Sequence, residues 1–245
     1  MARKFWLFVV VAITLAVAVS SKQVSGTDNE WYSKTPSKIR LHSYNFLQER
    51  HQDSVVKKVL QIKKPFSKIL FDHVLSLPIR EEVIKTMFVR GIAHGTLRSS
   101  YYLDYTIQDI AYLANAARAY DDAAQMMQEQ GNNDFALFYR KQAQKFDVYN
   151  KDALSNLRLK NADNVKTGTA IEMYMGYHKA LVKTNPRFLP IVMLPCSMLY
   201  PWVVRQFIGT INKQSPYYED WFVKNSLEED NPSSTELFVD TKFTR

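Results

Sequence analysis

The chain has 245 residues, a formal net charge of +8, 7 glycines, 9 prolines, 14 tyrosines and one cysteine. One cysteine excludes an internal disulfide, and scarce Gly and Pro among plentiful Ala, Gln, Lys and Glu predict a mostly helical protein. The basic excess gathers in the N-terminal third, as in "VVKKVLQIKKPFSK", without the module that would make it a nucleic-acid surface, so it is expected to be a solvated face with no nucleic-acid partner.

In chain order, "MARKFWLFVVVAITLAVAVSSKQ" comes first. Arg3 and Lys4 precede an apolar run, and Ala18-Val19-Ser20 is a small-x-small site, so residues 1–20 are expected to be a secretory signal peptide. No later segment approaches eighteen consecutive apolar residues, so no membrane span is expected in the mature chain. Residues 21–64 form a basic N-terminal extension, partly flexible, with a short amphipathic helix expected over 44–62. From residue 65 to residue 230 the helical spacing is steady. Gly95 ends the first part, a long helix runs from a cap at Ser99 or Ser100 to Gly131, and others cover 134–159, 167–184 and 188–213. A fifth begins with Ser215 as cap and Pro216 at its first position. Residues 231–245 are expected to be a loose polar tail. No strand pattern and no internal repeat is visible, and the fold class is all-α.

Several side chains on these helices could carry chemistry. Tyr105, Asp109 and Tyr112 stand at i, i+4 and i+7 and share a face. A carboxylate there either reaches solvent, pairs with an arginine, or is held at a cost for function. Cys196 and Tyr200 are four apart on the next-to-last helix, after Pro195. If Pro195 marks a first helical turn, the positive dipole end favours a thiolate; if it lies inside a longer helix, it frees a carbonyl beside the thiol. A lone cysteine among Met, Leu and Val is otherwise a small core hydrophobe. His178 follows Tyr174 by one turn and is either structural or a base. No E-x-x-H, H-x-x-x-H or cysteine pair supports a metal, and there is no G-x-S-x-G or phosphate loop.

Taken together, three segments carry a resemblance. "GIAHGTLRSSYYLDYTIQDIAYL", "LPCSMLY" and "SPYYEDWF" resemble, in order and spacing, the signatures of the thiaminase-2 (TenA/PQQC-like) family, over roughly residues 80–225. The resemblance implies an all-α, haem-oxygenase-like bundle that hydrolyses thiamin or related aminopyrimidines without a cofactor. It implies Cys196 as nucleophile, Asp109 as the acid holding the ring's amidine nitrogens, and Tyr112 and Tyr200 as pocket walls. Tyr174 matches once the loop around Asn185 is shifted by one residue. A small-molecule pyrimidine ligand and a homo-oligomer are expected on the same ground.

Two features depart from that pattern. The family's proton-shuttling glutamate lies in a helical segment after the Tyr-x-x-Trp helix, and here only 24 residues follow Trp221. Asn225 stands where the family often has a second tyrosine. Glu172 or Glu228 is the available substitute, and losing such a group costs on the order of 10²–10⁴ in rate. A catalytically inactive binder of a small heterocycle and a structural or interaction role therefore stay open. Without its last helical segment the bundle is expected to expose an apolar groove, to be covered by residues 44–62 or by a second subunit.

Overall fold

The computed structural model describes residues 64–162, 165–226 and 231–243. The expected signal peptide, the extension up to residue 63, the helix over 44–62 and Glu228 lie outside the described residues. Eight α-helices occur among those described: α1 Phe66–Phe71, α2 Leu77–Ile84, α3 Met87–His94, α4 Ser99–Glu129, α5 Asn133–Asn156, α6 Thr169–Thr184, α7 Leu189–Phe207 and α8 Ser234–Lys242. A 3₁₀ turn, Pro186–Phe188, leads into α7, and a π-helical turn spans Tyr218–Val223. No strand occurs among the described residues, in keeping with the all-α expectation.

The boundaries have local causes. Thr86 caps α3 by accepting from the Val89 N–H, and Gly95 closes it with φ of 71°, in the left-handed region. A side chain at Gly95 would also meet Asn212 and Ser215. That crowding exists because the chain after α7 returns to the end of α3: Asn212 N–H donates to the Ala93 carbonyl at 2.9 Å, and the Tyr217 hydroxyl to the Leu97 carbonyl at 2.7 Å. The same anchoring explains two departures from the expected boundaries. Helix α7 stops at Phe207 instead of continuing to 213, and Ser215 makes a local turn to Tyr217 N–H, at 3.2 Å, in place of a helix cap. At α4, Arg98 takes the cap position and Ser99 is already helical.

Helices α4 and α5 form the most extensive helix–helix interface. Alanines 116, 119 and 123 of α4 and 136 and 143 of α5 are all buried there, and small side chains let the two backbones come close. Tyr120 and Tyr139 fill the remaining volume, with ring centroids 5.7 Å apart. The Tyr139 hydroxyl donates to the Pro186 carbonyl at 2.8 Å, which fixes the turn ahead of α7. Helix α7 is apolar nearly all round and runs through the molecule, with a buried face in each of two hydrophobic clusters. By length and composition the stretch Pro186–Phe207 could cross a membrane, yet 67% of its apolar window is buried inside the bundle.

The C-terminal segment, expected to be a loose tail, is helix α8, and this corrects the sequence analysis. Ser233 and Glu236 form a capping box, and the Asp240 carboxylate accepts from both the N–H and the hydroxyl of Ser67, at 2.6 and 2.9 Å. Phe238 stacks on Phe138 with centroids 3.8 Å apart, and Val239 is fully buried. The polar composition hid three apolar positions, Phe238, Val239 and Phe243, which sit at the seam of α1, α5 and α7. The chain's own C-terminal helix thus supplies apolar cover to the bundle. Phe238→Ala should cost about 2 kcal/mol, measured as a lower urea midpoint, whereas Leu237→Ala on the exposed side should stay within about 0.5 kcal/mol.

Candidate active site

Asp109 and Tyr112 of α4, Tyr174 and His178 of α6, and Cys196 and Tyr200 of α7 come together where the two hydrophobic clusters meet. The sequence had left two geometries open for Cys196, and the structure selects one. Pro195 lies inside α7, six residues after its start at Leu189, so the thiol gains nothing from a helix N-terminus. Proline lacks an N–H, which leaves the Ile191 carbonyl without its helical donor one turn before the thiol. The neighbouring Val192 carbonyl accepts the Tyr174 hydroxyl at 2.9 Å.

Two phenols face the sulfur. Tyr112 Oη lies 3.3 Å and Tyr174 Oη 4.0 Å from Cys196 Sγ, and the Tyr112 hydroxyl also reaches Met193 Sδ at 3.4 Å. Their rings stack with centroids 5.4 Å apart and an interplanar angle of 8°. Burial pushes the Cys196 thiol above its ordinary range; hydrogen bonds from Tyr112 and Tyr174 draw it back in part, and the charge of Asp109 pushes it up again. The resting sulfur is therefore a thiol, and burial likewise keeps both phenols neutral.

Asp109 lies near enough to the thiol for its charge to act on it. Burial alone raises its carboxyl to about 7, and no ion pair joins it to a basic residue among those described. Among the described residues it has no arginine partner, and burial sets it apart from a freely solvated carboxylate. Around it stand Tyr105 and Tyr200, hydrogen-bonded to each other, with Tyr102 and Tyr149 near enough to feel its charge. Tyr200 packs edge-on against Trp221 at 6.1 Å, so the Tyr-x-x-Trp motif forms the back of the same wall. The Trp221 indole N–H is buried without a hydrogen-bond partner.

Some expected residues take other places. Glu172 is exposed in the first turn of α6 and accepts from the Thr167 hydroxyl at 3.3 Å. Two positions before the buried Tyr174, it points away from the thiol, so it is not brought into the site. Asn225 donates to the Trp221 carbonyl at 2.7 Å, which closes the π-helical turn. His178 is buried, pushed down to about 3 by burial, and its Nε2 has no hydrogen-bond partner. Its ring lies 4.2 Å from Tyr174 and 6.0 Å from Tyr112, so it is a neutral spacer behind the tyrosine pair and no base at neutral pH.

Sequence reasoning missed Tyr102 and Tyr149. Tyr102 lies three residues before Tyr105 and turns toward Tyr217, at 4.6 Å. Tyr149 is 49% exposed on α5 and carries no sequence signal that separates it from a surface tyrosine. A concavity of about 460 Å³ lies away from these residues on α4 and α5 and is lined by Asp121, Gln125, Gln128, Glu129 and Arg140 without a nucleophile. No group of three or more His, Cys, Asp or Glu side chains among the described residues could hold a metal ion.

No curated protein matches the chain. The model of the TENA/THI-4/PQQC family matches residues 77–236, a span that contains every site residue named above and reaches into α8. Family members are all-helical and haem-oxygenase-like, as this bundle is. By that match, over well more than half its length, the chain belongs to the TENA/THI-4/PQQC family.

Proposed function

We propose that the protein hydrolyses thiamin or a related aminopyrimidine, with Cys196 as nucleophile. The observation that carries this is the convergence of the one thiol, two phenols and one acid inside an aromatic wall, with Tyr112 Oη 3.3 Å from Cys196 Sγ. A planar heterocycle can stack on a tyrosine face, and a carboxylate accepts two ring N–H groups at once. A proton shared between Asp109 and a ring nitrogen draws electron density from the ring and makes its carbons better targets for sulfur. Sulfur then forms a bond to ring carbon as its proton passes to water, and the bond to the leaving group breaks with its electron pair, the leaving group taking up a proton from water where it departs as an amine. Water displaces sulfur and returns a proton to it. Tyr112 acts as a neutral donor to the developing thiolate, since burial keeps its phenol protonated, while Tyr174, whose hydroxyl donates to the Val192 carbonyl, holds the stacked ring that sets Tyr112 in place.

A second function, ligand binding without turnover, is favoured by one specific observation: burial holds the thiol protonated, and Glu172 lies outside the site. Thiamin and its aminomethyl-pyrimidine breakdown product, assayed with purified protein beside Cys196→Ser, separate the two. Hydrolysis by the parent that is lost in Cys196→Ser supports the hydrolase. Saturable binding with no turnover in either protein leaves a carrier, and neither binding nor turnover ends both.

The carboxyl makes a further prediction with a defined sign. The folded-state value of about 7 for Asp109 exceeds its ordinary 3.8, so the folded protein binds this proton more tightly than the unfolded chain. Its contribution to stability is therefore present below about pH 4 and lost as pH rises to about 7. Asp109→Asn should flatten that decline and stabilise the protein at pH 8 by about 2 kcal/mol, while reducing turnover by about 100-fold. Urea melts across pH 4–8 check the first part. Unchanged stability in Asp109→Asn would mean that the carboxylate is well solvated.

Export and self-association complete the proposal. The charged start, apolar run and small-x-small site support removal of residues 1–20. N-terminal sequencing of protein recovered from the culture medium of a secreting host should begin at or near Ser21. Recovery only inside cells, with Met1 intact, would sink this part. The homo-oligomer rests on the family resemblance, and sedimentation of the mature protein at micromolar concentration reads it directly.

A further inference from the structure

The glutamine of the Gln-Asp dipeptide has no part in the chemistry above, yet its side chain makes two bonds to a segment 58 and 60 residues away. Gln108 Nε2 donates to the Lys166 carbonyl at 2.9 Å, and Gln108 Oε1 accepts from the Gly168 N–H at 2.8 Å. Gly168 is the cap of α6 and has no side chain of its own to bond the helix start. Helix α4 thus ties down the entry of α6 with a single amide. On α4, Tyr112 lies one turn beyond Gln108; on α6, Tyr174 lies about 9 Å along the axis from Gly168. These are the two rings that stack at 5.4 Å and present hydroxyls to Cys196.

We infer that Gln108 is a positioning residue: by clamping Lys166 and Gly168 it sets where Tyr174 stands against Tyr112 and Cys196. The side chains of Gln108 and Asp109 point to different places, one to the α6 entry and one to the site, because successive helical positions are about 100° apart. A glutamine suits the clamp because one amide offers both a donor and an acceptor, matched to a carbonyl and an N–H two residues apart. Helix α6 packs on α4, with Tyr174 and His178 both against Tyr112, so a shift of its first turn is passed on to Tyr174. The clamp also explains why α6 begins at Thr169 and not at 167, as its sequence spacing had suggested.

This inference supplies a wall of the site proposed above and so rests on that proposal for its use, but its test does not need a substrate. Cys196 is the chain's single cysteine, so alkylation by iodoacetamide reports on it alone. The groups facing the sulfur are Tyr112 and Asp109 on α4 and Tyr174 on α6, with the neutral Tyr120 and Tyr200 near enough to feel a charge on it. In Gln108→Ala the pH profile of alkylation should move upward, with a rate about fivefold lower at pH 8, because a displaced Tyr174 no longer holds the stacked Tyr112 hydroxyl against the sulfur. Tyr174→Phe should do the same, and the double variant should add nothing further. Gln108→Glu keeps the acceptor for Gly168 and loses the donor to Lys166; it should fall between parent and Gln108→Ala, and it decides the matter if the alanine variant does not fold. An unmoved profile in Gln108→Ala or Gln108→Glu, or additive effects with Tyr174→Phe, overturns the inference, whatever becomes of the hydrolysis assay.

Discussion

Helix α7 is apolar on nearly every side, and that one property organises the molecule. A helix without a polar face has to be surrounded. The surrounding elements are α1 and α2 on one flank, α6 on another, and α8 across its start. Because the two hydrophobic clusters share α7, a residue at its middle lies on the boundary between them. Cys196 occupies that boundary. Its position is a consequence of burying the helix, and the chemistry around it is built from whichever side chains the neighbouring helices present there.

Burying reactive groups in such a place has a cost that the tyrosines offset only in part. A carboxyl removed from water resists ionisation, and a thiol does so too. The site contains no cation among the described residues that would reverse either effect, and both groups are held toward their neutral forms. The tyrosines do different work from the charges: they are rigid, planar and amphipathic, offering faces to a ring and hydroxyls to a sulfur or nitrogen. The Tyr112–Tyr174 stack is worth about 1 kcal/mol beyond its buried area. Buried, unpartnered His178 behind it contributes shape at an electrostatic cost.

Much of this was legible in the sequence, for reasons that can be named. The long helices announced themselves through three- and four-residue spacing and through Gly95 and Gly131 at their ends. That Asp109 lies with Tyr112, and Cys196 with Tyr200, could be expected because fixed helical spacing carries each pair onto one face, and Tyr174 was singled out through a motif. What failed was what depends on tertiary contact. Helix α8 has too few apolar residues for its periodicity to stand out, and its capping box and its bonds to Ser67 decide its fold. The early end of α7 follows from Asn212 reaching back to Ala93, a partner far away in the chain. Tyr149 comes to Asp109 only because α5 folds against α4, and Glu172 was misplaced because proximity in sequence to Tyr174 is not proximity in space.

The arrangement has a consequence for how a thiol can work here. Cysteine sites activated by a neighbouring cation or a helix N-terminus hold a standing thiolate that reacts with whatever arrives. This thiol has neither aid, so it stays protonated until something changes its surroundings. Under the proposed function, a ring bound on Asp109 would be such a change, because it would exclude water, bring a partner for the carboxyl's charge and lower the repulsion that Asp109 exerts on the sulfur. Reactivity would then be conferred by the ligand, with the protein supplying neutral hydrogen-bond donors already in place. A protonated, half-buried sulfur is also slow to oxidise while the site is empty, which would matter most under the proposed export.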